Sequence, residues 1–165
     1  MQINLDQLRL DTFDKKNDKH MWLVQQFKGS SKSDFISMID SRLELNGKSK
    51  TFPFDTAFVV SFPSDELIGY LFISGIRGDE VYLEYFLLEE KRGHGYGSLL
   101  LGLITEYLFA NYNIKDIALD IDVSNEASMK TAIGCGYYEE DFINDKRMIY
   151  KNYNLGYVNK RKNGR

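Results

Sequence analysis

The chain has 165 residues, 43% of them hydrophobic and 27% charged, the size and balance of one globular domain rather than a disordered segment. None of its 24 acidic residues lies after Asp145 but seven of its 21 basic ones do, so the body sets 14 cations against 24 carboxylates (−10) and the last twenty residues carry +7; an acidic body disfavours nucleic acid and attracts cations such as free amines. No apolar run nears the ~20 residues of a membrane span, the start has no secretory pattern, and one cysteine with two histidines makes neither an internal disulfide nor a metal site, so a cytoplasmic protein with no membrane partner and no metal is expected.

Taken in order, Gln7 to Thr12 alternates polar and apolar and reads as a first strand. Asp14 to Phe27 holds Met21, Val24 and Phe27 at helical spacing. Gly29 to Ser33 is a loop whose Ser33 suits a helix N-cap. The next helix, Asp34 to Leu45, lays Phe35, Ile36, Ile39 and Leu43 along one face and stops at Asn46-Gly47. Three β-rich runs follow, Ala57–Phe62, Leu67–Ile76 and Glu80–Leu88, joined by short turns: an antiparallel meander.

Next comes Glu89-Glu-Lys-Arg-Gly-His-Gly-Tyr-Gly-Ser98, between that last strand and a helix with Leu100, Leu103, Ile104, Tyr107 and Leu108 at helical spacing. Glycines let the backbone turn sharply and a ligand come close to its N–H groups. The unpaired N–H groups and dipole of a helix start favour an anion. The stretch is therefore equipped to hold a phosphate. A Walker loop would need Lys-Ser/Thr after the last glycine, and Gly97 is followed by Ser98-Leu99. The dinucleotide pattern G-x-G-x-x-G meets Ser98 or Leu100 where its third glycine belongs, although Asp116 or Asp120 lies at a fitting distance downstream. The pattern Q/R-x-x-G-x-G/A is met in full by Arg92, Gly95 and Gly97. In this the chain resembles the pyrophosphate loop of the GNAT acetyltransferase superfamily.

The remaining elements are a strand at Ile117–Asp122, a helix at about Asn125–Gly134, and a hairpin of Tyr137–Ile143 with Arg147–Tyr153. Strand, two helices, meander, helix, strand, helix and hairpin make an α+β domain around a mixed sheet, with a right-handed crossover where the two parallel strands meet. Asn125-x-x-Ser128, followed by Gly136-Tyr137, is similar to a second GNAT motif. Within the superfamily the two motifs look most like the ribosomal-protein alanine and serine N-acetyltransferases. The resemblance implies a mostly antiparallel sheet of about seven strands with about four helices, a domain over residues 1–155, and a basic, mobile tail over 156–165.

The resemblance also implies the site. Backbone N–H groups from Arg92, Gly93, His94, Gly95, Tyr96, Gly97 and Ser98 would cradle the pyrophosphate of acetyl-CoA, with Arg92 adding positive charge. The strand edge at Leu87 and Leu88 would hydrogen-bond the pantetheine, which Asn125 would touch and Ser128 flank. An amine would then attack the thioester directly. Because an alkylamine is protonated at neutral pH, a base must take its proton; the candidates are Asp120, Glu84 and Asp122. Many superfamily members carry a tyrosine seven residues after the asparagine to protonate the thiolate, and here that position is Ala132. Tyr85, Tyr96, Tyr137 and Tyr138 are the substitutes at hand. Cys135 reads as a small hydrophobe, and His20 is assigned no role. Trp22, Phe27, Phe52 and Phe54 suit either an acceptor pocket or the core. The rival reading is a non-catalytic acyl-CoA sensor on the same fold, followed by a nucleotide-binding module. The amine and the existence of a homodimer stay open.

Overall fold

The computed structural model describes residues 1–26, Ser37, Asp40 and residues 55–159. The elements are β1 (Gln2–Asn4), β2 (Arg9–Thr12), α1 (Asp18–Gln26), β3 (Ala57–Ser61), β4 (Leu67–Arg77), β5 (Glu80–Leu87), a 3-10 turn (Glu89–Lys91), α2 (Tyr96–Asn111), β6 (Asp116–Asp122), α3 (Glu126–Gly134), β7 (Tyr138–Asn144) and β8 (Arg147–Tyr153). Hydrogen-bonded neighbours follow the order β1-β2-β3-β4-β5-β6-β8-β7. β5 and β6 are parallel, and the flanking ladders run antiparallel. The mixed, mostly antiparallel sheet is the one expected, with eight strands instead of about seven. The extra strand is β1, folded back on β2 through a turn in which Asp6 takes a φ of 64°, a conformation that aspartate tolerates better than most residues. The helix expected over Asp34–Leu45 (Ser37 and Asp40 apart), its Ser33 cap, Phe27, Phe52, Phe54 and residues 160–165 lie outside the described residues.

By compactness the chain divides into two units, Met1–Ser74 with Glu84–Gly97, and Gly75–Leu83 with Ser98–Arg165. In the first, α1 buries His20, Leu23 and Val24, residues spaced to share one helix face. They join a core of Phe13, Ala57, Val59, Tyr70, Phe72 and Leu88. The buried Tyr70 hydroxyl has no water to bond and donates instead to the His20 carbonyl at 3.2 Å. Gly69 is dictated by space: a Cβ there would sit 1.9 Å from the Phe86 carbonyl oxygen.

In the second unit, β5 and β6 pair as Glu80 with Asp116, Val81 with Ile117 and Tyr82 with Ala118. The connection between these parallel strands carries α2, whose buried Leu100, Leu101, Ile104, Thr105 and Leu108 form one stripe at helical spacing. Tyr137, buried at the end of α3, bonds Thr105 at 2.7 Å and so ties α3 to α2. Of the segment expected as a tail, Val158 exchanges two hydrogen bonds with Asn113 (2.8 and 3.0 Å), and Tyr157 bonds Asp79.

Candidate functional site

The chain leaves β5 through hydrogen bonds that decide which backbone groups remain for a ligand. The Leu88 N–H donates to the Ile68 carbonyl at 2.9 Å. Successive N–H groups of a strand point to opposite edges, so the Leu87 N–H points away from β4. Of the two residues expected to meet a ligand's amide, Leu87 has the outward N–H and Leu88 does not. The Leu87 carbonyl accepts from Arg92 Nε at 3.1 Å, while Lys91 and Arg92 spend their N–H groups on Leu88 and Glu89. Arg92 is thus a brace across the mouth of the loop.

Beyond Arg92 the backbone changes character. Gly93 and Gly95 adopt φ of 76° and 84°, the left-handed region where a Cβ is strained whatever the space around it. Gly97 does not share this conformation, and a Cβ there would make ordinary contacts with the Tyr85 ring at 3.5 Å and Leu87 at 3.6 Å. This explains a motif that demands glycine at one position and accepts alanine two residues later. Among the described residues no hydrogen bond occupies the N–H groups of Gly93, His94 or Gly95, and those of Tyr96, Gly97 and Ser98 begin a 16-residue helix. Six consecutive N–H groups around two left-handed glycines are an arrangement of the kind that suits an anion. Tyr96 forms its wall, edge-on to Phe62 at 5.1 Å and 5.9 Å from the His94 ring. Lys91 lies over Phe62 and pairs with Glu66.

In the second unit Asn125 caps α3, its Oδ1 accepting the Ser128 N–H at 3.1 Å. This leaves the Asn125 amide nitrogen as a donor beside the half-buried Ser128. The Asp122 carboxylate takes both the N–H (2.9 Å) and the hydroxyl (2.6 Å) of Ser124, which hold it below the usual carboxylate range. Asp120 is bonded by Arg147 Nε at 2.6 Å. Glu84 is half-buried on β5, on the strand face that carries Tyr82 and Phe86. Asp120 and Asp122 are thus held by Arg147 and Ser124, partners that residue type and spacing do not reveal, and Glu84 too has an interaction of its own.

The tyrosines separate in the same way. The Tyr137 hydroxyl is buried on Thr105, Tyr138 stacks on Tyr153 with centroids 5.7 Å apart, and Tyr96 is the loop wall. Tyr85 lies against Gly97. Cys135 is half-buried, its thiol donating to the Ser98 carbonyl at 3.4 Å, and burial pushes its pKa up, which makes it a poor nucleophile.

One residue that sequence reading passed over is Asp116, considered there only as a dinucleotide acid. It is 2% exposed and pairs in register with Glu80. Burial, and then the bond to Glu80, push its carboxyl up to about 7. Lys151 completes the group at 2.6 Å from Glu80. The sequence signal was faint, an aspartate just ahead of the apolar run Ile117–Leu119.

Comparison with known proteins agrees with this geometry. The family described as Acetyltransferase (GNAT) matches residues 9–137. No curated protein matches the chain in sequence. Among solved structures, a ribosomal-protein α-N-acetyltransferase in complex with coenzyme A is similar at a TM-score of 0.71 and 18% identity over 93% of this chain and 98% of that one. An acetyltransferase from Salmonella typhimurium that modifies the N-terminal serine of a ribosomal protein gives 0.73 and 18% over 93% and 99%. A spermidine N-acetyltransferase chimera from Vibrio cholerae gives 0.70 and 21% over 93% and 99%. At these identities the likeness is one of fold.

Proposed function

The chain belongs to the acetyltransferase (GNAT) family, and on that footing we propose that it moves an acetyl group from acetyl-CoA to a primary amine by direct attack on the thioester. The observation that carries the proposal is the loop from Gly93 to Ser98, whose N–H groups gather around two left-handed glycines at the start of α2. The pyrophosphate binds there, where fixed dipoles meet its charge without reorganising. The pantetheine continues along β5, with the Leu87 N–H aimed at the thioester oxygen and the Asn125 amide donating to the arm. Polarising that oxygen as charge develops on it lowers the barrier.

Glu84, half-buried on the strand that leads into the loop, is the general base by its position, acting directly or through one water. Asp122 is a poor base because Ser124 stabilises its charged form, and Asp120 is engaged by Arg147. Thiols ionise near pH 8.5, so the CoA thiolate departs without strong acid help, which makes Ala132 compatible with turnover. The acceptor is a cationic amine, favoured by the acidic body; its sources are a small metabolite or a protein N-terminus, as in the proteins of similar fold.

A thermal melt tests cofactor binding. Acetyl-CoA at about 100 times its dissociation constant adds roughly 2.7 kcal/mol to the native state, raising the midpoint by roughly 5–10 °C. A shift with acetyl-CoA but not NAD is expected. A shift with NAD alone would return the loop to the dinucleotide binders, and no shift with acetyl-CoA would sink the proposal. Thiol release with a panel of amines then separates a transferase from an acyl-CoA sensor on the same fold.

A further inference from the structure

A second concave site lies wholly within the first unit, a pocket of about 760 Å³ between β2, β3 and the first turn of α1. Directly opposed residues of a ladder share a face. Arg9 opposes Ser61 and Ser61 opposes Leu67, so all three side chains turn to the pocket's side of the sheet. Ser61 is only 1% exposed, and among the described residues its hydroxyl oxygen has no hydrogen-bond partner. Buried hydroxyls almost always find a partner, so one left alone at the floor of a pocket points to an absent one.

The charge of the walls indicates what that partner is. Among the described residues four aspartates line the pocket, against Arg9, Lys19 and Met1, whose terminal ammonium pairs with Asp55. Arg9 is consumed by two of them, Asp11 (2.8 Å) and Asp65. Asp18 stands in the first turn of α1 without serving as its cap, because Asn17 Oδ1 takes the N–H groups of Lys19 and His20 at 3.0 and 3.2 Å. Among the described residues the Asp14 carboxylate receives a single backbone N–H, from Lys16 at 2.9 Å. His20 adds no positive charge: burial lowers its pKa, and its Nδ1 accepts from the Asp14 N–H at 3.0 Å. Among the described residues no three carboxylate, thiol or imidazole groups converge to hold a metal ion. An organic cation fits where a metal does not, and an ammonium group offers three N–H donors.

We propose that this pocket binds the ammonium head of a small primary amine, with Ser61 Oγ as acceptor at its floor and Asp14 and Asp18 supplying the attracting charge. The site is distinct from the acceptor position. β3 and β2 stand two and three strands from β5, about 10–14 Å at ~4.8 Å per strand, so an amine held here is not the one that meets a thioester at Leu87.

Isothermal titration calorimetry of the full chain at low salt tests this, with butylammonium chloride and 1,4-diaminobutane as probes and 1-butanol as the uncharged control. One saturable site is expected for the amines and none for the alcohol. Asp18→Asn and Asp14→Asn should each weaken binding about tenfold and Ser61→Ala about fivefold, losses typical of one charged and one neutral hydrogen-bond partner. Melting curves of the three variants establish that each is folded, and Glu84→Gln should leave this binding unchanged. Binding that Glu84→Gln abolishes and Ser61→Ala spares would assign the amine to the acceptor position and overturn the proposal. The absence of saturable heat would do the same.

Discussion

The loop from Arg92 to Ser98 and the acidic strand β6 are two regions that make chemistry in opposite ways. In the loop the available groups are backbone amides, and side chains matter chiefly by being absent: Gly93 and Gly95 hold left-handed φ. In β6 the polar groups are carboxylates on one strand face. Asp116 is buried beside Glu80, Asp120 is paired with Arg147, and Asp122 is tied to Ser124. Three like residues at alternate positions therefore have three different chemistries. A backbone-built site writes itself into the sequence as a spacing of glycines, whereas a side-chain-built site depends on partners brought from elsewhere in the chain.

The sharpest test of the contrast lies in the carboxylates. Glu84→Gln should lower kcat by about 10²–10³ while leaving acetyl-CoA binding intact, measured by thiol release beside a thermal shift. Asp122→Asn should change kcat by less than about threefold, since its charge serves Ser124. A large loss at Asp122 with none at Glu84 would reverse the assignment.

The next effect belongs to the loop. Gly95→Val places a β-branched residue at a φ of 84°, a strain of roughly 1–2 kcal/mol or more, so acetyl-CoA affinity should fall at least about tenfold. Gly97→Ala adds a methyl at ordinary contact distance and should cost less than about threefold in the same titration. Equal losses at both positions would show that bulk, not backbone conformation, limits the loop.

A smaller effect concerns Asp116. Its carboxyl is raised to about 7 in the folded chain, against about 4 when unfolded. Between those values the folded state holds a proton that the unfolded state has lost, so the stability Asp116 contributes is fully present below about pH 4 and is lost as pH rises through 7. Glu80 works in the opposite sense. Burial raises its pKa, but bonds from Asp116, Lys151 and Tyr82 outweigh burial and hold it below its usual value, so its contribution is lost in acid. Asp116→Asn should flatten the decline between pH 4 and 7 in melts taken across that range. A decline unchanged by the substitution would place the proton elsewhere.

The smallest effect separates the two roles of Asn125. Asn125→Ala removes a helix cap and should cost about 1 kcal/mol, lowering the midpoint by roughly 2–4 °C. Asn125→Asp keeps the cap but loses the amide donor, so stability should persist while acetyl-CoA affinity drops severalfold. If both variants bind acetyl-CoA as the parent does, Asn125 is a cap and nothing more.

Much of this molecule was legible in its residues. Gly95 and Gly97 after Arg92 named the loop because backbone conformation is local, and a left-handed position admits few residues besides glycine. Hydrophobic periodicity placed α2 and the meander for the same reason, since burial on one face repeats along an element. What only the tertiary structure decided was which polar groups remain available once the chain is folded. Strand pairing spent the Leu88 N–H on Ile68, the junction of α3 with α2 buried the Tyr137 hydroxyl, and the neighbours of β6 divided its three aspartates. Hydrogen bonds and burial between residues far apart in sequence fix a carboxylate's proton and a hydroxyl's partner, and no spacing along the chain encodes them.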